Sequence, residues 1–428
     1  MLKKVLYLLI LVGCNQLTLG QERLGISRFG IDSSNYAAGF YTEYAIGSTA
    51  LTNRLYLDFI QGNYIERASL DKASKRLVKF NKAGVDINYG VFFSQKLDTL
   101  FGKSGFSYFV NIADRLHADA LFTDDLFSVL FYGNKSFEDD TAEMGSFNSN
   151  YLHYQQLEIG LIKMNENKSV LGFGASFLKG QEFYQVNIAR ANLYTSTSGI
   201  GLYNELDILY GTVESDPSKK KITDMSGWGI SVDAFYQVPY FVLQDTEEEE
   251  SKWKGYLRIE AKDLGFIRWS DSSRTSILDT VLNNEGILLP SSLVLPDTWA
   301  EDQEDSLNAL IEVEERRGTF ANKLPGTFHL KMYQENAKGM YVTMGTILRL
   351  FANYSPMIYL GGGKKFSKLL ELGGVMEFGG YGRFNLGFEA RTNFNGFQLA
   401  IGSRSLGGFI FPNRAGGNSA FIGLKKTF

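Results

Sequence analysis

Apolar and polar residues alternate position by position in many segments of this chain, and this alternation restricts the fold more than any other feature. From Ala83 to Ser94 the odd positions carry Ala, Val, Ile, Tyr, Val and Phe, whereas the even positions include Gly, Asp and Asn. Because successive side chains of a β-strand point to opposite faces, each such segment predicts a strand with one apolar face. About sixteen segments show the pattern. They lie near residues 54–65, 83–94, 105–114, 153–164, 168–179, 182–194, 200–213, 226–238, 254–267, 324–334, 338–351, 354–365, 368–379, 381–392, 394–403 and 418–428.

The length of these segments separates two kinds of all-β protein. A soluble sandwich would show the same alternation, with its apolar faces in the core. Most segments, however, run to about 10–13 residues, which is the length that a tilted strand needs to cross a bilayer. The composition of 33 Phe, 23 Tyr and 45 Gly with only 7 Pro also favours strands. We therefore predict an all-β fold, a transmembrane antiparallel β-barrel of about 14–16 strands with helical inserts.

The last segment, Asn418–Phe428, resembles the closing strand of an outer-membrane barrel. Ala420, Ile422, Leu424 and Phe428 share one parity, and the chain ends on the aromatic residue. Lys426 interrupts the apolar parity, and near a membrane edge its stem could snorkel to the polar side. An edge strand of a soluble sandwich is the alternative. The barrel interpretation implies that the barrel-assembly machinery recognises the C-terminal strand ending at Phe428.

The first twenty residues predict a signal peptide. Lys3–Lys4 precede the apolar run Val5–Val12, which is too short to span a bilayer, and the sequence then becomes polar. Two processing sites compete: a lipobox-like sequence would leave Cys14 acylated, whereas ordinary cleavage after Gly20 would remove residues 1–20. We favour the second site, since a barrel needs no lipid anchor. Cys14 is the only cysteine, so disulfides are excluded.

The remaining domain, 21–428, is predicted to be the barrel, integral to the outer membrane of a Gram-negative cell. Long connections fall at one end of it and short ones mostly at the other, as in known barrels, and residues 239–253 are the exception. The long connections are 66–82, 115–152, 214–225, 268–323 and 404–417, and the short ones include 165–168 and 393–396.

Two inserts, near 115–152 and 268–323, do not alternate. His117–Tyr132 predicts a short amphipathic helix, and Thr298–Arg317 begins with a capping-box pattern and predicts a longer one. Such helices would plug or cap the barrel mouth, or else be ordered surface loops.

The sequence gives little sign of catalysis. His117, His153 and His329 are the only histidines, and no Gly-x-Ser-x-Gly or His-x-x-His spacing lies near them. Gly361–Ser367 resembles a phosphate loop but lacks the required first Gly, so a glycine-aromatic strand end explains it better. The acidic run Asp245–Glu250 lacks the turn glycine of a calcium loop and predicts a solvated turn. We therefore predict no enzyme, no cofactor, and no catalytic, cofactor-binding or metal-binding residue.

Charged residues occupy the polar faces of many predicted strands. If the apolar faces contact lipid, these charges line the lumen. The residues concerned are Asp86, Glu158, Glu205, Asp207, Asp233, Arg258, Glu260, Lys262, Glu371, Glu377, Arg383, Glu389 and Arg391. One hypothesis is that they pair across strands and rigidify the interior. The other is that they form a polar pathway with a weak preference for cations.

Four short motifs together carry a resemblance to a protein family. Ser34–Ala37, Val129–Asn134, Leu264–Trp269 and Leu324–Phe328 resemble a Bacteroidota family of outer-membrane barrels, a domain of unknown function similar in architecture to FadL-like barrels and type IX secretion barrels. Where that family usually continues to Asn-Pro-Ala, this chain has Tyr44–Ile46. The resemblance implies a barrel of about fourteen strands and no established activity.

Two functions of different class follow from these expectations. The first is an integral outer-membrane barrel that acts as a structural or accessory subunit of an outer-membrane assembly. The alternative is a gated transport barrel, porin-like or FadL-like, for a small solute or hydrophobic ligand. The expected partners are the lipid bilayer, lipopolysaccharide and other outer-membrane proteins. Nucleic acid is not expected, because the net charge of −4 provides no basic surface excess.

Overall fold

A computed structural model describes residues 35–197, 203–219, 221, 223–242, 253–285, 314–367 and 369–428. The predicted signal peptide, Cys14 and the acidic run 245–250 lie outside these residues. The strands are β1 (Tyr36–Ser48), β2 (Phe80–Leu97), β3 (Phe106–Thr123), β4 (Asp140–Glu143), β5 (Phe147–Met164), β6 (Val170–Thr195), β7 (Tyr203–Glu214), β8 (Gly227–Val242), β9 (Trp253–Trp269), β10 (Arg274–Glu285), β11 (Glu314–Arg317), β12 (Ala321–Lys323), β13 (Thr327–Glu335), β14 (Met340–Arg349), β15 (Ser355–Lys365), β16 (Glu371–Gly380), β17 (Phe384–Phe394), β18 (Phe397–Ser403) and β19 (Gly417–Thr427). The helices are α1 (Asn53–Ile60), α2 (Arg67–Ser74), α3 (Asp124–Tyr132) and α4 (Gly407–Ile410).

The strands form one antiparallel sheet that closes on itself. β19 pairs with β1 from Ala37↔Thr427 to Gly47↔Gly417, so the last strand seals against the first. The wall has 14 strands, which confirms the predicted fold class. The wall strands are β1, β2, β3, β5, β6, β8, β9 and β13 to β19. None of the helices in the described part of the chain is long and apolar enough to cross a membrane.

The two faces of the wall differ in polarity as the alternation predicts. Many large apolar side chains on the outward face are between 50% and 60% exposed. Examples are Val91, Ile112, Ile159, Phe173, Ile230, Ile259, Ile358, Phe378 and Leu386. Lys426, on this face, donates from Nζ to the carbonyl of Asn395 at 2.8 Å, and its Nζ lies 4.2 Å from the centroid of the Phe397 ring. Its charge therefore reaches the polar end of the wall, as the snorkelling interpretation requires.

The predicted short connections 165–168 and 393–396 lie at the same end of the barrel. Asn395 and Gly396, with φ of 48° and 77°, form the two-residue turn between β17 and β18, a conformation that favours Asn and Gly. Lys168, with φ of 62°, closes the turn between β5 and β6. The long connections from β1 to β2, from β3 to β5 and from β18 to β19 lie at the other end, as predicted, but the short connections 350–354 and 381–383 also lie there.

The sheet continues past the wall at the end with the long connections. β6 spans 26 residues: Val170–Gly180 pairs with β8 in the wall, whereas the part from Tyr184 onward pairs with β7. β7 pairs with β10, and β10 with β11. We call β7, β10, β11 and the upper parts of β3, β5 and β6 the extension.

Three helices form a collar on the outward face of the extension and the adjoining wall. Leu55 and Tyr56 of α1, Leu70 of α2 and Phe127 of α3 are buried in one apolar cluster. The strand residues in this cluster include Ala83, Ala118, Phe122, Phe147 and Tyr151. Ala83 and Ala118 have the parity opposite to that of the inward-facing residues of β2 and β3, so the cluster lies outside the wall. The collar (α1, α2 and α3) therefore does not plug the lumen.

Two predicted strand assignments are wrong. Residues 54–65, predicted as a strand, begin with helix α1, because Thr52 Oγ accepts from the backbone N–H of Leu55 and adjacent Leu55 and Tyr56 are both buried. The predicted strands 168–179 and 182–194 are one strand, β6, since no turn intervenes at Gly180. The first wall strand, β1, was not predicted, because its inward positions are mostly small or apolar.

The predicted helical inserts also need correction. His117–Thr123 continues strand β3, and the helix begins only at Asp124, where Thr123 Oγ accepts from the N–H of Leu126 at 3.1 Å. In the second insert, Arg274–Glu285 and Glu314–Arg317 are strands. The intervening residues of the predicted helix at 298–317 lie outside the described part of the chain.

Candidate functional site in the lumen

The inward face of the wall carries charged side chains that are buried. Glu158, Asp233 and Glu389 are no more than 1% exposed, so no wide water-filled channel surrounds them. Most of the predicted lumen residues are placed on this face. They are Asp86, Glu158, Asp233, Arg258, Glu260, Lys262, Glu371, Glu377, Glu389 and Arg391.

Three of the predicted lumen residues lie elsewhere. Glu205 and Asp207 are on β7 in the extension, where Asp207 accepts from Arg190 Nε at 2.8 Å. Arg383 is exposed in the turn before β17. Sequence parity assigns a face of a strand but cannot tell a wall strand from one that has left the wall.

A chain of alternating charges crosses the lumen near the end with the long connections. Arg349 Nη1 contacts both carboxylate oxygens of Asp86, at 2.9 and 2.7 Å. Asp86 Oδ1 is 2.8 Å from Nδ1 of His117, whose Nε2 is 3.0 Å from Oδ2 of Asp119. Ionised carboxylates only accept hydrogen bonds, so this geometry suits a His117 ring that donates from both nitrogens, as an imidazolium does. The four groups thus form a chain of alternating positive and negative charges that neutralise one another.

The loop between β14 and β15 is held to this charge chain. Asn353 donates from its backbone N–H and from Nδ2 to the two oxygens of Asp119, at 2.9 and 2.7 Å. Lys82, on β2, donates from Nζ to Ser355 Oγ at 3.1 Å. These bonds join opposite sides of the wall. The loop 350–354 therefore lies across the mouth of the barrel, and we call it the mouth loop.

A β-bulge places two charged neighbours of β9 on the same, inward side. The register of β8 and β9 shifts at this point, and Asp263 has φ of 56°. Its N–H donates to Asp233 Oδ1 at 2.7 Å, and its Oδ2 accepts from Arg115 Nη1 at 2.6 Å. Lys262 and Asp263 are consequently both buried in the lumen.

A second charged layer lies further along the lumen. Glu260 contacts the side chains of Arg258 and Lys262, with Lys262 Nζ at 3.0 Å, and His329 Nδ1 lies 3.3 Å from it. The other ring nitrogen of His329 is 2.8 Å from Tyr359 Oη. Each charge in this layer has an unlike charge beside it.

The third layer lies nearer the end with short turns. Tyr341 Oη donates to Glu389 Oε1 at 2.8 Å, and Arg391 bridges Glu389 and Glu371 at 2.8 and 3.0 Å. A Cβ on Gly373 would overlap Tyr341 Oη, and one on Gly363 would lie within 2.5 Å of it. Gly363 and Gly373 therefore leave room for the Tyr341 ring against the wall, a glycine-aromatic arrangement at the strand end.

A cavity of about 170 Å³ lies between the first two layers. Arg115, Lys262, Arg349 and Arg404 supply its positive charges. Its acids are Glu43, Asp86, Glu260, Asp263 and Glu377. Arg404 forms an ion pair with Glu43. The cavity has the size and polarity for one small polar solute or a few waters.

Sequence reasoning missed several members of this network. His117 was assigned to a helix, and Arg115, Arg349, Arg404, Asp263 and Glu43 were not singled out. Arg349 lies on the polar parity of its segment and its neighbour Leu348 lies on the apolar parity, so the alternation itself would have identified Arg349. Asp263 gave no such signal, because the bulge reverses the parity of β9. His153 lies on the outward face, with Nε2 2.8 Å from Asp114 Oδ1.

These features define a closed fourteen-stranded barrel of the outer-membrane type, with an interior filled by paired charges and a helical collar outside the wall. The chain belongs to DUF5723, a family of unknown function, whose profile matches residues 29–403. No curated protein matches the sequence.

Several solved barrels are similar in fold. A ΔS2S3 mutant of the monoaromatic hydrocarbon channel TodX is 9% identical with a TM-score of 0.45, covering 94% of this chain and 92% of its own. The Ralstonia pickettii toluene transporter TbuX is 8% identical with a TM-score of 0.43, covering 93% and 91%. The translocator domain of the Neisseria meningitidis autotransporter NalP is 7% identical with a TM-score of 0.33, covering 93% and 90%. These values are too low to bear on function.

Proposed function

We propose that this chain is an integral outer-membrane barrel whose lumen is sealed, and that it serves as a structural or accessory subunit of an outer-membrane assembly. The proposal rests chiefly on the lumen, where ion pairs and the mouth loop join opposite sides of the wall. Breaking one buried ion pair costs about 3–5 kcal/mol, so a solute path through three such layers would be costly to open.

The collar supports the accessory role. It packs on the outward side of the extension, where it adds nothing to a path through the lumen. The exposed surface here includes Tyr64, in the connection between α1 and α2, which is 69% exposed, and Leu130 of α3, which is 42% exposed. A protein surface of this kind outside the wall is suited to contact with another protein of the same membrane.

Conductance tests the sealed lumen. The purified, folded protein is reconstituted in planar bilayers, and its fold is checked by faster migration of the unheated sample on SDS gels. We expect no conductance steps above those of protein-free bilayers. Reproducible steps from protein that passes the gel check would contradict a sealed lumen.

Cross-linking tests the accessory role. A photo-reactive amino acid is placed at Tyr64 on the collar and, as the matched control, at Phe173 on the outward face of the wall. We expect protein adducts from position 64 in outer membranes and only lipid adducts from position 173. Absence of protein adducts from position 64 and from Leu130 would contradict a collar-mediated assembly.

The cavity favours a second candidate function, a gated transport barrel. Its lining of both charge signs suits a small polar solute, and Tyr354 of the mouth loop is part of that lining, next to Asn353, which donates to Asp119. Such a barrel would release solute only when Asn353 leaves Asp119. If the chain is a transport barrel, liposomes that carry the wild-type protein will swell in small zwitterionic solutes once the mouth loop is freed. If it is an accessory barrel, the liposomes will not swell in any of these solutes.

A further inference from the structure

Three arginines from different connections meet at the rim above β17, β19 and β1. Arg76 follows α2, Arg383 lies in the turn before β17, and Arg414 precedes β19. Arg76 Nη1 donates to the carbonyl of Arg414 at 2.5 Å, and Arg383 Nη2 donates to the carbonyl of Arg76 at 2.5 Å. We call these three residues the arginine rim.

The positive charge of the arginine rim is not balanced locally. No carboxylate of the described residues forms an ion pair with Arg76, Arg383 or Arg414. Burial and, after it, the nearby positive charge of Arg383 lower the pKa of the Arg76 guanidinium below its usual range. In the lumen, by contrast, Arg349 and Arg391 contact carboxylates directly. Adjacent like charges repel each other, so an anion bound at the rim would relieve a real electrostatic cost.

An exposed apolar segment lies beside the arginine rim. Phe409, Ile410 and Phe411 are 51%, 61% and 60% exposed, and Pro412 next to them accepts from the N–H of Arg54 at 2.9 Å. Leu406, just before this segment, is joined to β17, since its N–H donates to the carbonyl of Leu386 at 2.8 Å, and the Leu386 side chain is 51% exposed on the outward face. The segment therefore extends the apolar band of the wall up to the arginines.

We propose that the arginine rim binds the phosphorylated headgroup of an outer-leaflet lipid, whose acyl chains lie against Phe409–Phe411 and the apolar wall. Guanidinium groups bind phosphate oxygens through paired, charge-assisted hydrogen bonds. A soluble phosphate would bind the arginines but would not contact the three exposed apolar side chains. This inference rests on the proposed membrane location and not on the proposed sealed lumen.

Native mass spectrometry of the detergent-purified barrel provides the test. The protein is titrated with bisphosphorylated lipid A and with the same lipid after removal of its phosphates. We expect the double variant Arg76→Gln, Arg383→Gln to bind lipid A at least ~10-fold more weakly than the wild type, since two charge-assisted contacts are lost. The wild type should bind the dephosphorylated lipid as weakly.

Two further variants make the result specific. Arg67→Gln is the matched control, because Arg67 lies on α2 but has Asp71 as a partner, at 3.4 Å. We expect it to bind lipid A as the wild type does, and Ile410→Asp to bind it more weakly. All variants are first checked for heat-modifiable migration. Equal lipid A binding by the wild type and the Arg76/Arg383 variant would overturn the proposal, and unchanged binding by Ile410→Asp would overturn the acyl-chain contact.

Discussion

Arg349 is the residue on which the first charged layer depends most. It contacts both oxygens of Asp86, and its guanidinium carbon lies 4.9 Å from the centroid of the Tyr354 ring. Replacing it with Gln would leave the half-buried Asp86 beside His117 without its main counter-charge. We expect a loss of about 3–5 kcal/mol of stability, measured as a lower temperature at which the folded band disappears from SDS gels.

The control and the rescue sharpen this prediction. Arg268→Gln changes an exposed arginine on the outward side of β9 and should leave the transition temperature nearly unchanged. The double variant Asp86→Asn, Arg349→Gln removes both charges and should recover part of the loss. If Arg349→Gln unfolds at the same temperature as Arg268→Gln, the charge chain contributes no stability.

Asp263 permits a second test at the scale of one residue. Its φ of 56° is a conformation that Asn tolerates and that β-branched residues avoid. Asp263→Asn removes the carboxylate that Arg115 contacts, whereas Asp263→Val also strains the backbone by about 1–2 kcal/mol. In urea titrations, we expect Asp263→Val to unfold at a lower midpoint concentration of urea than Asp263→Asn. Equal midpoints would mean that the bulge relaxes when the side chain changes.

Among the elements, the collar is the part whose stability is separable from that of the wall. Leu70, on α2, is 1% exposed in the collar cluster, and Leu57, on α1, is 37% exposed. Leu70→Ala should cost the collar about 2–5 kcal/mol through a cavity, so trypsin should cleave near Lys72 and Lys75 much faster. Heat-modifiable migration should persist, because the wall keeps its hydrogen bonds.

Leu57→Ala is the control for this experiment and should be cleaved at the wild-type rate. Loss of heat-modifiable migration in Leu70→Ala would show instead that the wall requires the collar in order to fold.

Wall strands and collar elements differ in how far the sequence reveals them. A wall strand such as β2 alternates strictly, because one face is apolar and the other faces the lumen. In α1 the residues Leu55, Leu57 and Phe59 also alternate, which is why the segment was predicted to be a strand. What decides in favour of the helix is burial of neighbouring Leu55 and Tyr56 against strands that are distant in sequence.

The charged layers show a second limit of the sequence. That Asp86 faces inward could be predicted from parity alone. That its partner is Arg349, 263 positions later, depends on strand tilt and on the register of every strand between them. The same holds for Arg115 and Asp263, 148 positions apart. Composition and alternation therefore predict the kind of interior but not its pairings.

For the whole molecule, the three layers act in series along one lumen. Arg349 and Tyr381 belong to the layer at the mouth, and Tyr341 belongs to the layer near the short turns. A solute must pass all of them, so opening a single layer should leave the barrel closed. We expect no conductance from Arg349→Ala, Tyr381→Ala or from Tyr341→Ala alone.

Combining the substitutions that open both outer layers leaves the layer around Glu260 as the remaining barrier. Lys262 and Arg258 flank Glu260. Adding Glu260→Ala to the combined substitutions therefore removes the acid that holds these two cations in place. This combined variant should conduct in planar bilayers, with a preference for anions set by the cations that remain. Full conductance from a single-layer variant would mean that one layer alone seals the barrel. A silent combined variant that still migrates as a folded barrel would mean that the wall-lining aromatic rings, rather than the paired charges, close the lumen.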